Sequence, residues 1–225
     1  MPDPWADPQA IDRYDRWYEH PAGAAAFTEE VSCLRPLVTR PADGWMELGV
    51  GTGRFASALG IRCGVDASPA MVSRACSRGV KAVIGSMESV PLADRSLNGV
   101  LMVTTASFAV DLNIALREAR RILAPHGRLV LGEIMLDSPW GEACVRKGRS
   151  AGSWYARAHL RSSWNWLADL TAAGWTMAEA RSGLVHQPGQ ALAERHVRSG
   201  VVPGAGFIAM AWTPTPVPQE GIQFP

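Results

Sequence analysis

The chain has 225 residues, of which 22 are basic and 21 acidic, so its formal net charge at pH 7 is +1. This balance gives no reason to expect a nucleic acid or an anionic membrane surface as partner. No apolar run approaches the roughly 18 residues of a membrane-spanning helix, and the length fits one domain with a large core.

The cysteines and the first residues indicate the compartment. The chain has four cysteines, scattered along the sequence without C-x-x-C spacing, which favours reduced thiols over a disulfide framework. Residues 1–5 have neither the basic nor the apolar region of a secretory signal. We therefore expect a cytoplasmic protein, and no metal site is predicted because no thiol has a second ligand near it in sequence.

Two helices, predicted over 8–20 and 22–37, precede the first strand. After them an apolar run ends in Glu47 and is followed by three alternating glycines, Gly49, Gly51 and Gly53. This order predicts a strand, a loop with little side-chain bulk and a helix that begins near Arg54. Because glycine lacks Cβ and accepts positive φ, a ligand is able to approach the backbone of this loop closely.

Strands and helices alternate beyond the loop. Helices are predicted over 54–59, 69–78 and 112–123, and strands over 61–65, 82–84, 99–103 and 128–134. Ser68 and Asp111 are the expected N-caps of the second and third of these helices. Such alternation is typical of parallel β units joined by crossover helices.

The pattern breaks after the strand over 128–134. Residues 137–161 show no clean period but leave the carboxyl end of a parallel strand, where open α/β sheets bind ligands, so a functional loop or lid is predicted. A helix over 163–173 and strands over 175–181 and 207–212 follow, and the prolines after Thr213 are expected to end the sheet ladder. The predicted fold class is α/β, with a doubly wound, Rossmann-like sheet of seven mostly parallel strands and helices on both faces.

Two cofactors compete for the glycine loop. A dinucleotide fold requires Gly-x-Gly-x-x-Gly or Ala, with an acidic residue about 20 positions further on. Here the next strand leads into Asp66, only thirteen residues after Gly53. Glu47, expected at the mouth of the loop, would repel a pyrophosphate but attract an ammonium or a sulfonium group. The charges therefore favour S-adenosylmethionine (SAM) over NAD.

Four segments in this order resemble the class I SAM-dependent methyltransferases, and among them the type 11 group that acts on small molecules. They are residues 47–53, 64–68, 84–92 and 96–100, within a similarity that covers roughly 44–134. The resemblance implies that 47–53 contacts the methionine part of SAM, that Asp66 accepts hydrogen bonds from both ribose hydroxyls, and that 84–92 flanks adenine. It also implies that the last two strands pair antiparallel.

The resemblance extends to individual residues and to two departures, one of which is Asn98, where the family commonly has Asp. Family members commonly carry Asp where this chain has Ser86, so the acceptor for the adenine amino group would be uncharged. In related enzymes the helix before the first strand covers the cofactor, which makes Tyr14 a candidate contact; simple burial of its ring is the alternative. The residues expected to bind SAM are Tyr14, Glu47, Gly49, Gly51, Thr52, Gly53, Asp66, Ala67, Met71, Ser86, Met87, Glu88 and Thr104.

We expect one methyltransferase domain over 1–225. Its parts are an N-terminal helical cap (1–40), a cofactor-binding core (41–136), a lid or acceptor insert (137–162), a C-terminal helix with strands (163–213) and a proline-rich tail (214–225). Methyl transfer is an in-line displacement, so alignment and exclusion of water matter more than a nucleophilic residue. The candidate base is His159, because histidine exchanges protons near neutral pH; a purely structural loop histidine is the alternative.

The expected reaction is methylation of a nitrogen, oxygen or sulfur of a small molecule. Nine tryptophans, several of them in or near the predicted lid, favour an apolar or aromatic acceptor, although core packing explains most of them equally well. Three alternatives stay open. They are a non-catalytic SAM-binding or scaffold protein of the same fold, an NAD-dependent oxidoreductase, and a nucleic-acid methyltransferase, for which no basic groove is visible. The oligomeric state is not predicted.

Overall fold

The computed structural model describes residues 5, 7–39, 41–150, 152–190 and 197–216. Most of the tail predicted over 214–225 therefore lies outside the described residues. In the described part of the chain, no helix combines the length and the apolar character needed to cross a membrane.

One eight-stranded sheet organises the chain, with the strand order β3-β2-β1-β4-β5-β8-β6-β7. The strands are β1 (Trp45–Leu48), β2 (Cys63–Asp66), β3 (Lys81–Ile84), β4 (Leu97–Val103), β5 (Leu123–Ile134), β6 (Trp175–Gly183), β7 (Arg198–Ser199) and β8 (Phe207–Pro214). The helices are α1 (Pro8–Trp17), α2 (Pro21–Leu34), α3 (Arg54–Leu59), α4 (Pro69–Ser77), α5 (Leu112–Ile122), α6 (Pro139–Gly148) and α7 (Ser163–Ala172).

The first five strands are parallel, and β8 lies antiparallel between β5 and β6. This confirms the predicted doubly wound, mostly parallel sheet and the antiparallel pairing of the last two predicted strands. From β1 the chain builds β2 and β3 on one side and then returns to place β4 on the other. Such a reversal of strand order opens a crevice at the carboxyl ends of the strands, where α/β sheets bind ligands.

Both faces of the sheet are covered by helices, because the strand residues alternate between two apolar clusters. In β4, Leu101 and Val103 belong to the cluster that includes residues of α2 and α3, whereas Val100 and Met102 belong to the cluster that includes residues of α5 and α7. Strands buried on both faces are near-continuous apolar runs, as parallel sheets require.

The structure corrects three details of the predicted elements. The eighth strand is the two-residue β7, which is too short to show alternation in a sequence. The segment over 137–161 contains the ten-residue helix α6, with the Ser138 hydroxyl as N-cap accepting from Gly141 N at 3.0 Å. The strand predicted to end at 212 continues to Pro214, which pairs with Trp175, and the next residue, Thr215, donates its N–H to Gly174 O at 2.9 Å.

Candidate functional site

A cavity of about 310 Å³, here called the first cavity, opens at the carboxyl ends of the parallel strands. Gly49 and Gly51 follow β1, Asp66 ends β2, Ser86 follows β3 and Thr104 follows β4, and all five residues line this cavity. Strands that are distant in sequence thus bring their terminal residues to one edge of the sheet. This is the edge at which the strand order reverses, as expected for a ligand site.

Ten of the thirteen residues predicted to bind the cofactor line the first cavity. They are Tyr14, Gly49, Gly51, Asp66, Ala67, Met71, Ser86, Met87, Glu88 and Thr104. The other three, Glu47, Thr52 and Gly53, are not among its lining residues.

The glycine loop needs its glycines for two different reasons. At Gly49, φ is +70° and a Cβ would lie 1.9 Å from Thr105 Oγ1, so a side chain is excluded by conformation and by space. At Gly51, φ is +53° and nothing lies within 4 Å of a Cβ position, which leaves the backbone open to the cavity. The loop therefore presents bare peptide groups to a ligand.

Asp66 joins the loop to the end of β2. Gly51 N donates to its Oδ2 at 2.8 Å and Ser68 N donates to its Oδ1 at 2.9 Å. Burial raises the pKa of this carboxyl above its ordinary value, against the two backbone hydrogen bonds, which lower it. Each carboxylate oxygen carries two lone pairs, so both retain capacity to accept a further donor such as a hydroxyl.

Glu47 lies in the buried strand β1 and not at the mouth of the loop, which corrects the position predicted for it. Its residue is only 1 % exposed because β1 is covered on both faces. Burial raises the pKa of its carboxyl well above the ordinary range, a hydrogen bond from the Ala56 backbone lowers it, and the charge of Asp66 raises it further. Its Oε2 has no hydrogen-bond partner among the described residues.

The side chain of Thr52 and the Cα of Gly53 lie against neighbouring helices. The Thr52 hydroxyl, on a residue only 2 % exposed, donates to Asp15 Oδ1 at 2.9 Å, and Asp15 belongs to α1. Gly53 is the left-handed N-cap of α3, and a Cβ on it would lie 3.0 Å from Ala75 Cα of α4. Both residues therefore fix the loop against neighbouring helices.

Asp15 lines neither cavity but supports the glycine loop, and this role was not predicted from the sequence. Its carboxylate is buried and also accepts Arg54 Nε at 2.6 Å and an Arg78 guanidinium hydrogen bond. Burial raises the pKa of Asp15, but the hydrogen bonds from Arg54, Arg78 and Thr52 outweigh it, so the pKa lies below its ordinary value. The sequence did contain one signal for such a partner. Arg54 directly follows the glycine loop, and a cation buried there requires an anionic partner.

A carboxylate also lies beside Ser86, where the sequence predicts only an uncharged acceptor. The Ser86 hydroxyl donates to Glu88 Oε2, Glu88 N donates to Ser86 Oγ at 3.1 Å, and Val110 N donates to Glu88 Oε1 at 2.9 Å. Glu88 lines the first cavity as well. The negatively charged acceptor at this end of the cavity is therefore Glu88, two positions after Ser86.

A second cavity, of about 110 Å³, adjoins the first. Four residues line both, namely Trp5, Tyr14, Thr104 and Phe108. Thr104 has a left-handed φ of +47° and donates its N–H to Gly132 O at 2.7 Å. A non-glycine residue with positive φ at the border of two cavities is the kind of local strain found at functional sites.

The predicted lid segment forms one wall of the second cavity, through residues of α6 and of the 3-10 turn Trp154–Arg157. His159, the predicted base, is exposed and lines neither cavity. Its backbone N–H is donated to Ser107 O at 2.7 Å, and Ser107 lines the second cavity. The base role predicted for His159 thus gains no support from its position.

Two buried carboxyl groups that were not predicted line the second cavity. Burial raises the pKa of Glu133 to about 7, against hydrogen bonds from Ser107, Ala106 and Thr105 that lower it. Burial, followed by the charge of Glu29, raises the pKa of Glu30 to about 8. A signal existed for Glu133, because an acid within an apolar strand must find buried partners.

Comparison with known proteins identifies the class of fold and site. A family described as a methyltransferase domain matches residues 46–131. An uncharacterized protein of Mycobacterium tuberculosis is 35 % identical over 199 residues, which is 88 % of this chain and 70 % of that protein. The chain belongs to the class I SAM-dependent methyltransferases and is an enzyme of that kind, with SAM as cofactor.

Solved structures agree with this assignment. A SAM-dependent methyltransferase from Thermotoga maritima, described as a possible histamine N-methyltransferase, superposes with a TM-score of 0.84 at 30 % identity, over 92 % of this chain and 98 % of that one. A SAM-dependent methyltransferase from Aquifex aeolicus has a TM-score of 0.63 at 17 % identity, over 92 % and 98 %, which shows the shared fold.

Proposed function

We propose that this methyltransferase acts on a small molecule, with SAM in the first cavity and the acceptor in the second. The observation that carries the proposal is the shared wall of the two cavities, in which Tyr14 and Thr104 take part. Adjoining cavities allow donor and acceptor atoms to meet without water between them. A volume of about 110 Å³ for the second cavity suits a small molecule.

The residues of the first cavity fit SAM in charge and shape. Asp66 accepts from the ribose hydroxyls with the lone pairs that Gly51 and Ser68 leave open. The bare backbone of the glycine loop at Gly49 and Gly51 receives the methionine part of SAM. When bound, SAM supplies an electrophilic methyl group on a positively charged sulfur.

Glu88 fits the adenine end of the cofactor. Its carboxylate lies at the position beside Ser86 that the family resemblance assigns to the adenine amino group, and it lines the first cavity. A charged acceptor forms a stronger hydrogen bond to an amino group than a hydroxyl does. We therefore assign adenine recognition to Glu88, with Ser86 holding its carboxylate in place.

The remaining task of the chain is to orient the acceptor and exclude water. Eight of the eighteen residues that line the second cavity are aromatic, and no nucleophilic residue is needed for an in-line displacement. The relative from Thermotoga maritima, described as a possible histamine N-methyltransferase, supports a small molecule as the acceptor and nitrogen as the acceptor atom. His159 has no role in this proposal, since it lines neither cavity.

Calorimetry with SAM and with S-adenosylhomocysteine (SAH) tests the cofactor half of the proposal. We expect both to bind, and NADH, monitored by its fluorescence, not to bind. A screen of methyl transfer to small amines, phenols, thiols and carboxylates then tests the acceptor half. Absence of SAM and SAH binding at millimolar ligand would contradict the proposal, as would methyl transfer to nucleic acid alone.

A further inference from the structure

The second cavity combines aromatic walls with a buried acid. Six of its aromatic residues are Tyr14, Trp17, Tyr18, Trp140, Trp154 and Tyr155. Tyr14 and Tyr18 come from the N-terminal helices and the turn between them, whereas Trp140 and Trp154 come from the opposite segment after β5. Rings from both sides therefore enclose one small volume.

Glu30, in α2, lines this cavity and is itself only 4 % exposed. Its Oε2 has no hydrogen-bond partner among the described residues. The charge of Glu30 contributes to the raised pKa of the Tyr14 and Tyr155 phenols, after the larger effect of their own burial, which places both rings near its carboxyl group. A buried carboxyl oxygen without a partner costs free energy unless a ligand supplies a donor.

The two neighbouring buried glutamates, Glu133 and Glu29, already have partners for both of their carboxyl oxygens. Glu133 accepts Thr105 N at 3.1 Å and Ser107 Oγ at 2.8 Å. Glu29 accepts Leu184 N at 2.6 Å, and its other oxygen lies 3.5 Å from His186 Nε2. Of these three acids, Glu30 is the one that has a carboxyl oxygen left unpaired in the described part of the chain.

We infer that the second cavity binds an amine with an aromatic or apolar body, and that Glu30 pairs with its nitrogen. The inference rests on the proposed function and specifies its acceptor. Aromatic faces attract a cation through their quadrupoles, and a buried carboxylate is the matching anion. Lys147, the cationic side chain among the described residues that line this cavity, is exposed to solvent, so these residues offer no buried cation to pair with an anionic acceptor.

Glu30 has a defined part in the transfer. Without a bound amine the raised pKa of Glu30, about 8, favours the protonated acid at pH 7, and a bound ammonium favours its carboxylate instead. That carboxylate takes one proton from the ammonium, which frees the lone pair on nitrogen. The N–C bond to the methyl group forms as the S–C bond breaks, and the sulfur keeps the bonding electron pair. The products are a methylated ammonium ion and neutral SAH, and the proton on Glu30 returns to solvent. Tyr14 and Thr104 line both cavities and therefore lie where the amine nitrogen would approach the methyl group of SAM.

The test uses the full chain saturated with SAH and three probes of similar shape: phenethylamine, 2-phenylethanol and phenylacetate. Calorimetry is expected to show that phenethylamine binds about ten-fold or more tightly than the other two. With SAM in place of SAH, mass spectrometry is expected to detect N-methylphenethylamine. Glu30→Gln should weaken phenethylamine binding about ten-fold or more and leave SAH binding within about two-fold, because Glu30 does not line the first cavity.

Two further variants make the result specific. Trp154→Leu removes a ring of the second cavity and should weaken phenethylamine binding more than SAH binding, which its ring affects only through Trp5 and Tyr14. Glu142→Gln, the same chemical change at an exposed side chain of α6, should change neither. If the unmodified chain does not bind SAH, the proposed function fails and the inference with it. If SAH binds but phenethylamine is not preferred, or Glu30→Gln leaves amine affinity unchanged, the inference alone is overturned.

Discussion

Arg54 donates a hydrogen bond from Nε to Asp15 Oδ1 at 2.6 Å, and this contact joins the first helix of the chain to the helix that begins at the glycine loop. Both side chains are largely buried, at 17 % and 7 % exposure. Because Asp15 also accepts hydrogen bonds from Thr52 and Arg78, one carboxylate connects α1, the glycine loop and the end of α4. The helix that carries Tyr14 is thereby held against the first cavity.

Asp15→Ala is therefore expected to destabilise the protein strongly. Removing the anion takes away the carboxylate that the largely buried guanidinium groups of Arg54 and Arg78 share, which costs about 3 kcal/mol or more of unfolding free energy. Urea denaturation measures the loss. The matched control is Asp12→Ala on the same helix, whose ion pair with Arg74 is exposed and should contribute less than about 1 kcal/mol. Equal losses for the two variants would refute the role given to Asp15.

The pH dependence of stability should differ between the unmodified protein and Asp15→Asn. The pKa of Asp15 is lowered in the folded state, so its stabilising contribution is complete above the unfolded value of 3.8 and is lost as pH falls through the folded value. The unmodified protein should thus lose more stability than Asp15→Asn as the pH is lowered from about 5 into the acid range. Urea midpoints across this range measure the two slopes, and parallel slopes would contradict the prediction.

Glu30→Gln should change stability in the opposite pH range. The folded pKa of Glu30, about 8, lies above the unfolded value of 4.5, so its contribution is complete below pH 4.5 and is lost as pH rises toward 8. An amide does not titrate, and the variant should gain stability relative to the unmodified protein between pH 5 and pH 8. Melting temperatures at several pH values test this. A difference that stays constant with pH would show that Glu30 does not titrate in this window.

Asp66→Ala should weaken SAM and SAH binding by about 1.5 to 3 kcal/mol, because two charge-assisted hydrogen bonds to ribose are lost. Asp66→Asn retains the shape and one acceptor, and a smaller loss is expected. Asp43→Ala, at an exposed position before β1 that does not line the first cavity, is the control. Calorimetry gives the affinities, and an unchanged value for Asp66→Ala would remove this residue from the site.

Glu88→Gln tests adenine recognition by a comparison of two ligands. We expect SAH to bind about ten-fold more weakly to the variant, since an amide accepts a weaker hydrogen bond from the adenine amino group than a carboxylate does. The analogue S-inosylhomocysteine lacks that amino group and should lose little or no affinity. If both ligands lose affinity equally, the effect of Glu88 is on the shape of the cavity, for example through Val110 N, which it accepts at 2.9 Å.

The order of strands and helices could be predicted because each element has a local signal. Ser68 and Asp111 cap their helices as expected, and the glycines after Glu47 mark the end of β1. The helix α6 was missed although Ser138 and Pro139 are a typical N-cap and first-turn pair. Glycine within α6 lowers its helix propensity and obscures the apolar period.

The candidate site was predictable where it depends on backbone and unpredictable where it depends on distant partners. Asp66 and the loop glycines are adjacent to strand ends, so their position follows from the topology. Burial of Asp15, by contrast, depends on Arg54 and Arg78, which are far from it in sequence. Burial of Glu30 results from the packing of α2 against β5, β6 and β8, and no local pattern distinguishes it from a solvated acid.

Tyr14 and Thr104 border both cavities, while Trp140 and Trp154 border the second alone. In the proposed arrangement, a replacement of Tyr14 or Thr104 therefore changes the binding sites of both SAM and the acceptor. A replacement of Trp140 or Trp154 changes the lining of the proposed acceptor site alone. We therefore expect homologous enzymes that use SAM but methylate different acceptors to differ at Trp140 and Trp154 and to keep the residues at Tyr14 and Thr104.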